Sequence, residues 1–218
     1  MHKRRVAILI SGRGSNMASL IEAAKAEDFP AQIVLVASNI KGAPGLETAA
    51  RHGIETLIVE SKPFGKDREG FERAMHREIV ARNVELICLA GFLRLLTPWF
   101  VQQWDKRMLN IHPALLPSYR GLHTHERALA DGVKIHGATV HFVVPEMDSG
   151  PIVMQGAVAV HDDDTPETLA ARVLSVEHRI YPDALRLVAA GKTRIEGGLC
   201  KTTANGNAPD ALISPSVI

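Results

Sequence analysis

The chain has 218 residues, of which 46% are hydrophobic, 22% charged and 5% aromatic, and 25 Lys and Arg against 24 Asp and Glu leave a formal charge of +1. That balance excludes a disordered chain, a collagen-like repeat and a basic nucleic-acid-binding arm, and the length suits one large domain with a buried core. No apolar run approaches the roughly 18 residues of a membrane span, and the basic start Met-His-Lys-Arg-Arg lacks the apolar core of a signal peptide, so a cytoplasmic protein is expected.

Short apolar runs alternate with helical patterns. Val6–Ile10 reads as a strand, Asn16–Ala26 as a helix, Ile33–Ser38 as a strand, Gly45–His52 as a helix and Thr56–Val59 as a strand. Arg68–Arg82 follows as an amphipathic helix with Phe71, Ala74, Met75 and Ile79 on one face, and it leads into the strand Leu86–Ala90. This βαβ rhythm predicts an α/β fold, a Rossmann-like, mostly parallel twisted sheet with helices on both faces. Cys88 lies inside the Leu86–Ala90 run and reads as a small buried hydrophobe, not a nucleophile; with only Cys200 besides, neither a disulfide framework nor a cysteine zinc site is expected. Beyond Gly91 the texture changes. Met108–His112 reads as a strand, whereas Pro113–Thr124 lacks periodicity and reads as a functional loop. Gly137–Val144 and Pro151–Val160 read as two strands joined in a hairpin-like way through Pro145-Glu-Met-Asp-Ser-Gly150. Thr165-Pro166-Glu167 opens a helix with a hydroxyl cap, a first-turn proline and an early carboxylate, and its pattern runs to about Ala190. Residues 1–196 therefore form the expected domain, and the Gly-, Asn- and Ser-rich stretch 197–218 is expected to be a mobile tail.

Three places carry candidate chemistry. In Ile10-Ser-Gly-Arg-Gly-Ser-Asn16 the glycines let the backbone approach a ligand at a helix N-terminus, which suits one phosphate on Gly14, Ser15 and Asn16. A tight turn that binds nothing is the alternative. A dinucleotide is disfavoured, because Met17 stands where the fingerprint needs glycine and the second strand ends in Ala37-Ser38-Asn39 with no acidic residue. In Leu109-Asn-Ile-His-Pro113, Asn110 and His112 are two apart on a strand and share a face. An amide that donates to a developing oxyanion beside an imidazole that moves protons suits acyl transfer, although a histidine near a strand end is often structural. Asp148 supplies a carboxylate that could stabilise an imidazolium, or merely shape its turn. No GxSxG elbow is present. His123, His125, His136 and His141 lack an HExxH frame or a cysteine partner, so no metal is expected, while His52, His76 and His161 read as solvated.

Five stretches, ISGRGSN at 10–16, LAGFLRLLTP at 89–98, LNIHPALLPSYRGLHTH at 109–125, VHFVVPEMDSGPI at 140–152 and EHRIYP at 177–182, together resemble the folate-dependent formyltransferases over about residues 5–196. The resemblance implies one formyltransferase domain whose N-terminal half holds glycinamide ribonucleotide and whose C-terminal half holds the co-substrate 10-formyltetrahydrofolate. It assigns catalysis to Asn110, His112 and Asp148, the ribonucleotide to Gly14, Ser15, Asn16 and Glu177, and the folate to Arg68, Leu93, Arg94, Leu95, Leu96, Asn110 and Val143. It further implies a step of de novo purine biosynthesis, no metal, no nucleic-acid or membrane partner, and a monomer or homodimer. Without the resemblance, Arg68 reads as a solvated helix-start residue and Glu177 as a polar-face residue near Arg172 and Arg179. Ala114, where many relatives have serine, and Arg120 depart from the family pattern outside the catalytic three. Formyltetrahydrofolate hydrolase and methionyl-tRNA formyltransferase share the core, and the length disfavours their extra domains. A nucleotide-phosphate sensor would leave the catalytic three unexplained, and an NAD-dependent oxidoreductase lacks its fingerprint.

Overall fold

Seven apolar runs pair into one sheet in a computed structural model that describes residues 2–203. Strands β1 (Arg4–Ile10), β2 (Ala31–Ser38), β3 (Glu55–Ile58), β4 (Leu86–Leu89) and β5 (Met108–His112) are parallel, and β6 (Ile135–Phe142) and β7 (Ile152–Ala159) continue the sheet antiparallel. The strand order is β3-β2-β1-β4-β5-β6-β7. Helices α1 (Ser15–Ala24), α2 (Pro44–Arg51), α3 (Arg68–Val80), α4 (Pro98–Gln103), α5 (Thr124–Ala130) and α6 (Pro166–Ala189) connect or flank these strands.

Strand alternation divides the core in two. Val6, Ile8 and Ile10 of β1 and Leu86 and Cys88 of β4 point to one side, where they meet Met17 and Leu20 of α1 and Val173 and Tyr181 of α6. Ala7, Leu9, Ile87 and Leu89 point to the other, against Phe71, Met75 and Ile79 of α3 and Phe100 of α4. The predicted layering, with helices on both faces, is therefore observed. Burial at 0% exposure pushes the Cys88 thiol up to about 12, which suits core packing and not attack on a substrate.

The cap of α6 follows its sequence. The Thr165 side chain accepts from the Thr168 N–H while the Thr168 hydroxyl accepts from the Thr165 N–H, with Pro166 in the first turn. Just before it, the Asp164 carboxylate accepts from the Arg172 guanidinium at 2.7 and 2.9 Å, from the His161 N–H at 2.8 Å and from the Thr168 hydroxyl at 2.8 Å. The Arg172 bonds, foremost, hold this carboxyl well below the usual carboxylate range.

Two expectations are corrected. The stretch from Gly197 is not wholly tail: Gly197 and Gly198, at φ 55° and 80°, turn an antiparallel hairpin of β8 (Thr193–Glu196) and β9 (Leu199–Thr202). Left-handed backbone at both central positions is what glycine makes inexpensive in a two-residue hairpin. Residues 204–218 of the expected tail lie outside the described residues. Nor is His76 solvated, for its ring packs edge-on against Trp99 and Trp104 at centroid distances of 5.3 and 5.8 Å. Burial, followed by the Arg107 and Arg73 charges, pushes its pKa down.

Helix α1 follows β1 outward to β2 and β3, and the chain then returns to place β4 on the other side of β1. The crevice beyond the carboxyl ends of β1 and β4 is thus the switch point of the sheet, where open α/β folds bind ligands. Among the described residues no helix is long and apolar enough to cross a membrane.

Candidate active site

At the end of β1 the chain enters the glycine turn. Gly14 caps α1 at φ 69° without any side-chain cap, so the first N–H groups of α1 face outward, with Ser15 exposed at the tip. Gly45, at the start of α2, donates its N–H to the Gly12 carbonyl at 3.1 Å, and a Cβ there would displace Ile10 Cδ1 and crowd the Gly12 and Arg13 carbonyl oxygens at 3.0 and 3.1 Å. Asn16 turns inward, and its amide donates to the Glu177 carboxylate at 2.6 Å. Glu177 is buried, not spread on a polar face, and burial pushes its carboxyl above the ordinary range. Two residues 161 positions apart thus meet beneath the turn, both from the set assigned to the ribonucleotide.

On β5, Met108 packs on the α3 and α4 side of the sheet, and alternation therefore puts Asn110 and His112 on that side as well. Antiparallel pairing sets Asn110 opposite His141 and His112 opposite Thr139. His141 donates from Nδ1 to the Phe142 carbonyl at 2.9 Å, leaving Nε2 to accept from the Asn110 amide at 3.3 Å. Burial pushes the pKa of His141 down, which favours the neutral form that this accepting role needs. One amide hydrogen of Asn110 is thereby committed, and among the described residues the other has no partner.

His112 lies between two acceptors. Its Nε2 donates to the Tyr119 carbonyl at 2.8 Å, and its Nδ1 faces Asp148 Oδ2 at 3.5 Å. A neutral imidazole donates to only one of these, whereas an imidazolium donates to both. Asp148, at φ 50°, also accepts the Gly121 N–H at 2.8 Å and points Oδ1 toward His141 Nε2 at 3.9 Å. Asp148, read from the sequence apart from the Asn110 and His112 pair, is therefore brought to it. His141 is the member that sequence reasoning missed: it alternates with apolar residues along a strand, and only its pairing opposite Asn110 reveals it.

The loop beyond β5 is fixed from below. Thr139 donates to the Ala114 carbonyl at 2.7 Å and accepts from the Leu116 N–H at 3.0 Å, and Gln155 donates to the Leu116 carbonyl at 2.9 Å. His136, 1% exposed, packs edge-on against the Tyr119 and His125 rings at 5.7 and 5.3 Å. Burial, reinforced by His125, pushes its pKa down to about 4, against a smaller upward pull from the Pro113 carbonyl. A histidine whose folded pKa is depressed binds fewer protons than the unfolded chain, so its stability contribution is present above the ordinary value and is lost as pH falls from about 6.5 toward 4. Urea unfolding at pH 7 and 4.5 is expected to show a loss that His136→Gln reduces by about 2 kcal/mol. An equal loss in both proteins would place the acid sensitivity elsewhere.

The residues assigned to the folate cluster above the same side of the sheet. Leu93 and Leu95 are 78% and 63% exposed on the loop after β4, while Leu96 and Val143 pack against the α3 and α4 core. Arg94 lies over the Phe71 ring at 5.0 Å. Arg68, exposed at the start of α3, donates to the Leu95 carbonyl. The buried Glu72 accepts from the Thr97 N–H at 2.8 Å and from the Thr97 hydroxyl, fixing the end of the loop, and burial pushes its carboxyl up. Among the described residues no group of three or more His, Cys, Asp or Glu is arranged to hold a metal.

Comparison with known proteins bears on what such a site does. Residues 4–185 match the model of the family described as formyl transferase. The chain is similar to the trifunctional purine biosynthetic protein adenosine-3 of Gallus gallus, 47% identical over 201 residues that cover 91% of this chain and 20% of that protein. It thus spans about a fifth of that relative's length. It is also 41% identical over 190 residues to phosphoribosylglycinamide formyltransferase of Escherichia coli K12, covering 87% of this chain and 89% of that one. The structure of glycinamide ribonucleotide transformylase 1 from Symbiobacterium toebii superposes with a TM-score of 0.89 at 40% identity, covering 92% of this chain and 94% of the other.

Proposed function

Because the chain belongs to the formyl transferase family, we propose that it moves the formyl group of 10-formyltetrahydrofolate onto the amine of glycinamide ribonucleotide. The products are formylglycinamide ribonucleotide and tetrahydrofolate, in a step of de novo purine biosynthesis. The observation that carries this reading is the convergence of a free amide hydrogen on Asn110, the His112 imidazole and the Asp148 carboxylate on one side of β5.

Each residue then has a physical task. The outward N–H groups of Gly14, Ser15 and Asn16 hold the ribonucleotide phosphate, and Glu177 supports Asn16 from beneath. Arg68, the Leu93–Leu96 loop and Val143 hold the folate, with Arg68 suited to an anionic tail and the leucines to an apolar ring. The ribonucleotide's neutral amine attacks the formyl carbon, and the formyl oxygen takes up the charge. Asn110 donates its free hydrogen to that oxyanion, and an imidazolium at His112, held by Asp148 and the Tyr119 carbonyl, stabilises the same charge. As the bond from the formyl carbon to the folate nitrogen breaks, His112 gives a proton to that nitrogen and then, as a neutral imidazole, takes up the proton that the transferred amine loses, which restores the imidazolium.

The test is formyl release from 10-formyltetrahydrofolate, followed by folate absorbance with and without glycinamide ribonucleotide. Turnover is expected only with the ribonucleotide, and His112→Ala is expected to lower it by about 10²–10⁴-fold. Formate released without the ribonucleotide would assign a hydrolase instead, and ribonucleotide binding without any turnover would assign a sensor.

A further inference from the structure

Ser11, the first residue beyond β1, is 6% exposed and takes no part in the mechanism above. Its hydroxyl nevertheless makes two bonds in different directions. It donates to Asn39 Oδ1 at 2.6 Å, at the end of β2, and accepts the Leu93 N–H at 2.9 Å. The Ser11 N–H donates to the Gly91 carbonyl at 3.0 Å, so one residue holds both Gly91 and Leu93. Asn39 itself is buried and is fixed in turn, its carbonyl accepting the Ser61 N–H at 3.2 Å.

The position of these bonds gives them meaning. Ser11 leads directly into the turn that carries Gly14, Ser15 and Asn16, and Leu93 begins the loop whose leucines stand exposed. Leu93 to Leu96 lie outside every helix and strand, so the loop's near end is set by Ser11 and its far end by Glu72 on Thr97. The donor direction matters too. With its own hydrogen spent on Asn39, the Ser11 oxygen must present a lone pair to Leu93, so Asn39 fixes the hydroxyl in the orientation that the loop needs.

We propose that Ser11, oriented by Asn39, is a positioning residue that sets the Leu93–Leu96 loop in register with the glycine turn and so determines how tightly the folate is held. The inference rests on the formyl-transfer reading for its substrate but not for its geometry. Two measurements on the full chain keep these apart. Hydrogen exchange of the peptide spanning residues 91–97, which needs no turnover, is expected to be about tenfold faster in Ser11→Ala than in the parent. In steady-state assays the same variant is expected to raise KM for 10-formyltetrahydrofolate about five- to tenfold, with kcat and the ribonucleotide KM changed less than about twofold. Asn39→Ala leaves the hydroxyl in place but frees its rotation, so its folate KM is expected to fall between the two, and it serves as the test if Ser11→Ala does not fold. Unchanged exchange at 91–97 in a folded variant overturns the proposal whatever the reaction is. So does an equal rise in both KM values, which would mark general damage, or a loss confined to kcat. Absence of formyl transfer in the parent chain would instead overturn the functional reading, and the exchange result would still decide the role of Ser11.

Discussion

Asn110→Ala is expected to lower kcat by about 10²–10³-fold while the ribonucleotide's dissociation constant changes less than about threefold. The asymmetry follows from where the amide points. His141 takes one Asn110 hydrogen at 3.3 Å, so the side chain is already oriented before substrate arrives and its second hydrogen costs no reorganisation when the oxyanion forms. Asn110 bonds to His141 and not to the glycine turn or Glu177, so ribonucleotide affinity is expected to be spared. His141 Nε2 loses its donor in this variant, and part of the measured loss will be disorder of that ring. His141→Gln, tested in parallel, separates the contributions. Steady-state kinetics with direct binding of the ribonucleotide decide the matter. A variant with weakened ribonucleotide binding and normal kcat would remove Asn110 from the oxyanion site.

The second large effect is expected at Asp148. Asp148→Asn retains an oxygen for the Gly121 N–H and a residue type that tolerates the left-handed φ of 50°, so the loop is expected to keep its shape and the melting temperature to move by only a few degrees. What disappears is the charge facing His112 Nδ1 at 3.5 Å. Without it the imidazolium loses its counter-ion at the moment when negative charge grows on the formyl oxygen, and kcat is expected to fall about 10²–10³-fold. Asp148→Ala removes the Gly121 acceptor as well and is expected to cost stability in addition. Normal turnover by a folded Asp148→Asn protein would show that Asp148 only shapes its turn.

The parallel half of the sheet was legible because β1, β2 and β4 are buried on both faces and so appear as unbroken apolar runs. The short helices α4 and α5 were not, since six and seven residues carry too little periodicity to separate them from loop. The β8–β9 hairpin carries only the Gly197-Gly198 turn signal, because Thr193-Arg-Ile-Glu196 and Leu199-Cys-Lys-Thr202 lack the strict alternation of a half-buried strand. The candidate site shows the same division. Asn110 and His112 share a face by the period of a strand, whereas the approach of Asp148, the inward turn of Glu177 and the pairing of His141 depend on contacts 31 to 161 positions apart. Ser11 lies inside the glycine-rich motif, and its bond to Leu93 spans 82 positions, beyond the reach of any local sequence pattern.

The bond between Asn16 and Glu177 has a consequence for how the molecule matures. Its partners sit on α1 and α6, so the glycine turn receives its buried support only after α6 has been made and docked. The central strands can pair earlier, since β1, β2 and β4 all precede β5 in the chain. A ribosome-bound chain that ends just before Glu177 therefore holds all seven strands of the sheet together with Asn110, His112 and Asp148, yet leaves Asn16 without its acceptor. Contacts of such long range form late and slowly. On the proposed reading, the buried support of the phosphate-binding turn thus arrives only with α6, after Asn110, His112 and Asp148 have all been made.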